Sequence, residues 1–139
     1  MPYRWARLFA GLALVTAAAP VFAEGVELPA RIRPSLSGDY VLRAVLSTNE
    51  SVRGLRYSLH KVVSGGIREE IPEVARRPEV LNTRPGEKRP VVLSFKYPLS
   101  GPEELALCMY ADPPNPGSSG SGSRLRVAFR FCKLLTLQP

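Results

Sequence analysis

Cys108 and Cys132 are the only cysteines in this 139-residue chain, and a pair so spaced can close a structural disulfide, cycle as a redox couple or stay as two thiols. Catalytic dithiols sit close in sequence at a helix start, where the thiolate is stabilised; here the spacing is wide and strand-like sequence flanks both residues. His60 is the single histidine. It shares an alternating face with Arg56 and Ser58, and with no Cys or Asp placed beside it, it reads as a solvated imidazole and not as a general base. The acids gather as Glu69-Glu70-Glu73 and Glu103-Glu104 next to turns. Adjacent residues on a strand point to opposite faces, so these carboxylates read as solvated surface and not as an acid/base pair. Metal-ligand spacing is missing, and Ser64-Gly65-Gly66 leads into no helix that could cradle a phosphate, so the sequence implies no cofactor. Asn49-Glu50-Ser51 is a glycosylation acceptor only in a pathway that glycosylates it.

The basic residues do have an arrangement. Arg124, Arg126 and Arg130 alternate with Leu125, Val127, Phe129 and Phe131, so one strand face carries guanidinium groups while the other supplies core. Arg43, Arg53 and Arg56 extend the basic surface on a neighbouring strand. One reading is a solvated face that keeps edges from self-pairing; the other is a positive platform for an acidic or unfolded protein partner. On the second reading Arg43, Arg56, Arg126 and Arg130 are the partner-binding residues. Nucleic acid is the weakest partner class, because no aromatic residue interleaves the arginines on their own face.

The elements that must hold these residues are strands. With 45% hydrophobic and 22% charged residues the chain is too apolar to be disordered, while 14 Pro and 11 Gly break it into short segments, so a helical bundle is disfavoured. Residues 1–23 read as a secretory signal peptide: Arg4 and Arg7, an apolar run from Leu8 to Val15, and Val21 and Ala23 before the cut. Its removal takes the formal charge from +7 to +5, since 17 Lys and Arg then face 12 Asp and Glu. The mature chain, 24–139, is expected to be one periplasmic or secreted domain that does not insert in a membrane.

Period-two alternation dominates from Val26 onward. Tyr40, Leu42, Ala44 and Leu46 share a face, as do Leu55, Tyr57 and Leu59, and Val91, Leu93, Phe95 and Tyr97. Val26–Ile32, interrupted by Pro29, reads as one edge strand; 69–89, crowded with Pro and charge, reads as short edge pairing at best; 105–110 and 124–131 complete the set. About seven strands in this length imply an all-β, immunoglobulin-like antiparallel β-sandwich. The 112–123 segment, rich in Pro, Ser and Gly, reads as a flexible exposed loop, either length-tolerant or partner-contacting. If the hairpin places Cys108 opposite Cys132, Met109 meets Phe131 and Ala111 meets Phe129 on one apolar face, while both cysteines lie on the other with Arg126 and Arg130. A cross-strand disulfide fits that register and the oxidising compartment.

Several segments resemble one family. Ser37-Gly38-Asp39-Tyr40-Val41-Leu42, the run from Gly54 to Gly66, Thr83-Arg84-Pro85-Gly86-Glu87 with Val91–Phe95, and Pro102-Glu103-Glu104-Leu105 are similar to successive strands and turns of the curli-assembly periplasmic chaperones of the CsgC type. Glu50-Ser51-Val52-Arg53 stands where some members carry a Cys-x-Cys, so no redox role carries over, and the long loop and the Cys108/Cys132 pair lie outside the family pattern. The resemblance implies a non-enzymatic chaperone that holds fibre or secretion-system subunits unassembled through a charged sheet face. The alternative is a secreted inhibitor or binding module that uses the 112–123 loop.

Overall fold

The computed structural model describes residues 24–111 and 128–139. Alternation sets its framework. On β3 (Asp39–Ser47) the buried residues are Tyr40, Leu42, Ala44 and Leu46, and on β8 (Arg89–Lys96) Val91, Leu93 and Phe95. The two strands run antiparallel with Leu42 opposite Leu93, and Tyr40 stacks on Phe95 at a centroid distance of 5.5 Å. With β1 (Gly25–Glu27) and β6 (Ala75–Arg77) they make a sheet ordered β1-β3-β8-β6.

The second sheet is ordered β2-β10-β9-β4-β5, and β7 also pairs with β4. Its strands are β2 (Arg31–Ile32), β4 (Val52–Val63), β5 (Gly66–Glu70), β7 (Leu81–Thr83), β9 (Glu103–Ala111) and β10 (Phe131–Leu137). Leu55, Tyr57, Leu59, Leu105, Leu107, Met109, Leu135 and Leu137 project from it into the core. Burying each such aliphatic side chain contributes about 1.5–3 kcal/mol, and this two-layer burial is what holds the sheets face to face. The two core tyrosines keep their hydroxyls satisfied: Tyr40 donates to the Gln138 carbonyl at 2.8 Å and Tyr57 to the Pro78 carbonyl at 2.6 Å.

The all-β antiparallel sandwich is therefore present; the short β2–β10 contact is its parallel exception. Ten strands appear among the described residues, more than the expected seven, because two expected units divide. Val26–Ile32 is not one strand: β1 belongs to the first sheet and β2 to the second, and the chain changes sheets at Leu28-Pro29-Ala30, where proline removes a ladder donor. The charged 69–89 region changes sheets as well, between β5 and β6, with Glu73 in the left-handed region at φ 58°. β4 and β5 are joined through Ser64 and Gly65, both at positive φ, the two-residue turn that matches strand twist.

Candidate functional site

The disulfide Cys108–Cys132 joins β9 and β10 directly across the ladder, with Cα atoms 4.0 Å apart and the expected register of Cys132 on Cys108 and Phe131 on Met109. The strand starts later than its alternation suggests. Arg130 N–H donates to the Met109 carbonyl at 2.8 Å, yet the ladder partner of Met109 is Phe131. Two residues thus face one, a bulge that inverts the parity of Phe129 just before it. Phe129 consequently lies on the outer face of the second sheet, at 4.9 Å from the His60 ring and 6.2 Å from Tyr110, and not on the core face opposite Ala111.

That inversion also corrects the solvated reading of His60, which is buried at 7% exposure beneath Phe129. Its Nδ1 lies 3.0 Å from the Arg68 carbonyl oxygen. A carbonyl only accepts, so Nδ1 carries the proton and, in the neutral ring, Nε2 accepts from the Ser58 hydroxyl at 2.6 Å. The pair has the polarity for proton transfer from a serine, but Ser58 is 2% exposed, so in this conformation no substrate atom reaches it. Here the pair is a satisfied polar link between β4 and β5.

The arginines are placed as follows. Arg43 is exposed on the outer side of β3, in the first sheet, and Arg56 on the outer side of β4, in the second. The outer faces of a sandwich point away from each other, so these two do not share a surface. Arg126, residues 1–23 and the 112–123 loop lie outside the described residues. Arg130 donates to Glu24 at 2.6 Å and to Glu50 at 2.9 Å. The Glu24 hydrogen bond above all, with Glu50, holds its pKa above the ordinary arginine value against the opposing effect of burial. It is thus a clamp joining β10 to the segment before β1 and to the β3–β4 loop.

Among the described residues, the same bulge marks the start of an open strand edge. β9 pairs with all of β10, whereas on the other side β2 reaches only Thr136 and Leu137 among the described residues. Thr136 N–H donates outward to the Ala30 carbonyl, and backbone groups of alternate residues point the same way, so Cys132 and Leu134 also direct N–H and C=O away from β9. Leu134 is 48% exposed on the outer face and Phe129 37% exposed on that face, while Phe131, opposite Met109, is 37% exposed on the other face of the strand. The apolar doublet Leu134-Leu135 was the sequence signal: on a strand one of the two must face out.

A cleft of about 580 Å³ between β8 and the β5–β6 connection is lined by Asp39, Lys61, Glu73, Lys96, Tyr97 and Glu103. Its charges are largely matched: Lys61 lies 3.6 Å from Glu69 and Lys96 4.0 Å from Asp39. Burial and the neighbouring Glu103 carboxylate push the Tyr97 hydroxyl up to about 12. Among the described residues no group of three or more His, Cys, Asp or Glu could hold a metal ion.

A short-edged antiparallel β-sandwich with a cross-strand disulfide is the class these features define. No protein-family model and no curated protein matches the chain. Its fold is similar to the crystal structure of the class 5 fimbriae chaperone CfaA, at 14% identity and TM-score 0.45. A chain in a chaperone–tip adhesin complex of CFA/I fimbriae is similar at 14% identity and TM-score 0.46; the alignment covers 83% of this chain in both cases. WR4, an MSP family member of C. elegans, is similar at 10% identity and TM-score 0.43, over 84% of this chain and 98% of its own. The present chain spans 56% of the length of each fimbrial protein chain.

Proposed function

We propose that this protein is a non-enzymatic exported accessory protein, a periplasmic chaperone that keeps subunits of a curli-type fibre or secretion apparatus unassembled by pairing with an extended segment along β10. The observation that carries this is the edge at Cys132–Leu134, unpaired among the described residues, with Leu134 exposed on one face and Phe131 on the other. Two residues offer four outward backbone groups, worth about 2–6 kcal/mol at 0.5–1.5 kcal/mol net per hydrogen bond. Covering the exposed parts of Leu134 and Phe131 adds about 1–2 kcal/mol. Association itself costs about 4–15 kcal/mol, so the contact is transient, as a holding function requires. Arg43 and Arg56, on opposite faces, act in long-range steering towards an acidic or polar subunit instead of forming one platform. Export is supported by the signal-like pattern of residues 1–23 and by the disulfide.

The test is subunit polymerisation followed by amyloid-dye fluorescence at low chaperone ratios. The native protein is expected to lengthen the lag, and Leu134→Pro, which removes an outward donor without touching the β9 ladder, to abolish the delay. An undiminished delay from Leu134→Pro, or none from the native protein, overturns the proposal.

A further inference from the structure

At the far end of β4 two glycine-dependent backbone devices converge on one cleft. The first is a bulge: Val52 pairs with Thr83 and Leu55 with Leu81, so β4 carries one residue more than β7. Gly54 takes up the excess at φ 69°, its N–H held by Asn82 Oδ1 at 3.1 Å, and this aims Arg53. The second is the turn Arg84-Pro85-Gly86-Glu87, closed by Glu87 N–H to the Arg84 carbonyl at 3.0 Å, with Gly86 at φ 75°. Proline at the second position and a positive-φ glycine at the third define a type II turn, which brings Arg84 and Glu87 to the same side. Arg89 is fixed there by hydrogen bonds to the Asn82 carbonyl at 2.9 Å and to Glu87 at 3.3 Å.

The resulting cleft of about 700 Å³ is lined by Arg53, Arg84 and Arg89, with Glu87 its single carboxylate. Arg53 and Arg84 are exposed. Glu87 pairs with Arg89, which leaves Arg53 and Arg84 as the guanidinium groups with no ion pair among the described residues, and guanidinium forks match carboxylate geometry. The volume falls in the range of ligand pockets that hold several groups at once and far exceeds one oxyanion.

We infer that this cleft binds the carboxylates of an extended acidic chain segment, through Arg53 and Arg84 with Arg89 as the fixed member. The inference goes beyond the β10 reading and stands apart from it, since the cleft lies on the opposite side of β9 from that edge.

The experiment is titration of the full mature chain, at low ionic strength, with an N-acetylated tetraglutamate peptide and, separately, with inorganic phosphate. Saturable peptide binding is expected. Arg53→Gln and Arg84→Gln should each weaken it at least tenfold, while Arg43→Gln, an equal loss of charge on the other sheet, changes it less than twofold. Leu134→Pro should leave it unchanged, so failure here is distinguishable from failure of the edge reading. Phosphate binding without peptide binding overturns the assigned ligand. Equal losses in all three arginine variants, loss in Leu134→Pro, or no peptide binding overturns the site.

Discussion

Replacing Cys108 and Cys132 together by alanine tests how far one covalent closure carries the fold. The bond closes a loop over a separation of 24 residues. In the chain-entropy treatment, about 2.1 + 1.5R ln n cal/mol/K with n near 24, the closure is worth about 3.5 kcal/mol at 25 °C. A domain of this size has a net stability of about 5–15 kcal/mol, so the loss is a large fraction of the total. Cys108 is fully buried, but it lies on the outer face beside Ser58, its ladder neighbour on β4, and not in the inter-sheet core. The cost should therefore reside chiefly in the unfolded state. Urea unfolding followed by far-ultraviolet circular dichroism is then expected to show a midpoint drop equivalent to about 3–4 kcal/mol, with a larger m value because the unlinked denatured chain exposes more surface. A loss below about 1 kcal/mol with m unchanged refutes the loop-closure reasoning.

Three further outcomes follow from particular contacts. Lys133→Pro, at a position whose N–H points towards β9, should cost about 1–3 kcal/mol by orphaning a buried carbonyl, whereas Leu134→Pro costs less than about 1; equal losses in thermal melts would contradict the assigned edge. Thr83 and Thr48 share a buried hydroxyl bond of 2.7 Å, and Thr48 also donates to the Glu50 carbonyl at 2.8 Å, so Thr48→Val should destabilise more than Thr83→Val in the same assay. Burial pushes the Tyr57 hydroxyl up to about 12 from 10. Between those values the unfolded chain has released a proton that the folded chain keeps, so stability is intact below pH 10 and falls as pH rises towards 12. The Tyr57 phenolate absorbance should appear only near pH 12 or with unfolding; ionisation at pH 10 in the folded protein would contradict it.

Alternation made much of this fold legible, because the fully buried inward residues of β3, β8 and β9 are apolar, with the charged Arg89 and Glu103 only at the strand ends. The Cys108–Cys132 register followed from the same rule. The rule fails where one residue is inserted: the bulge at Arg130 sends Phe129 over His60, and no local composition announces it. Strands of three residues such as β6 and β7 are too short to show a period, so the charged 69–89 region concealed two of them. The relative placement of the arginines was illegible for a different reason. Period two says which face of a strand a residue occupies, but not which sheet the strand joins, and Arg43 and Arg56 are separated by that choice. Glu24 and Glu50 as partners of Arg130 were invisible because they come together from distant segments.

The central claim is that β10 receives a partner strand, and residue-resolved amide hydrogen exchange of the labelled protein, with and without an unassembled subunit, measures it directly. The Cys132 and Leu134 amides, unpaired among the described residues, should become protected when the subunit is added, while their β9-bonded neighbours Phe131 and Lys133 change little. Protection confined to the outer faces around Arg43 or Arg56, with Cys132 and Leu134 still exchanging freely, would contradict the account.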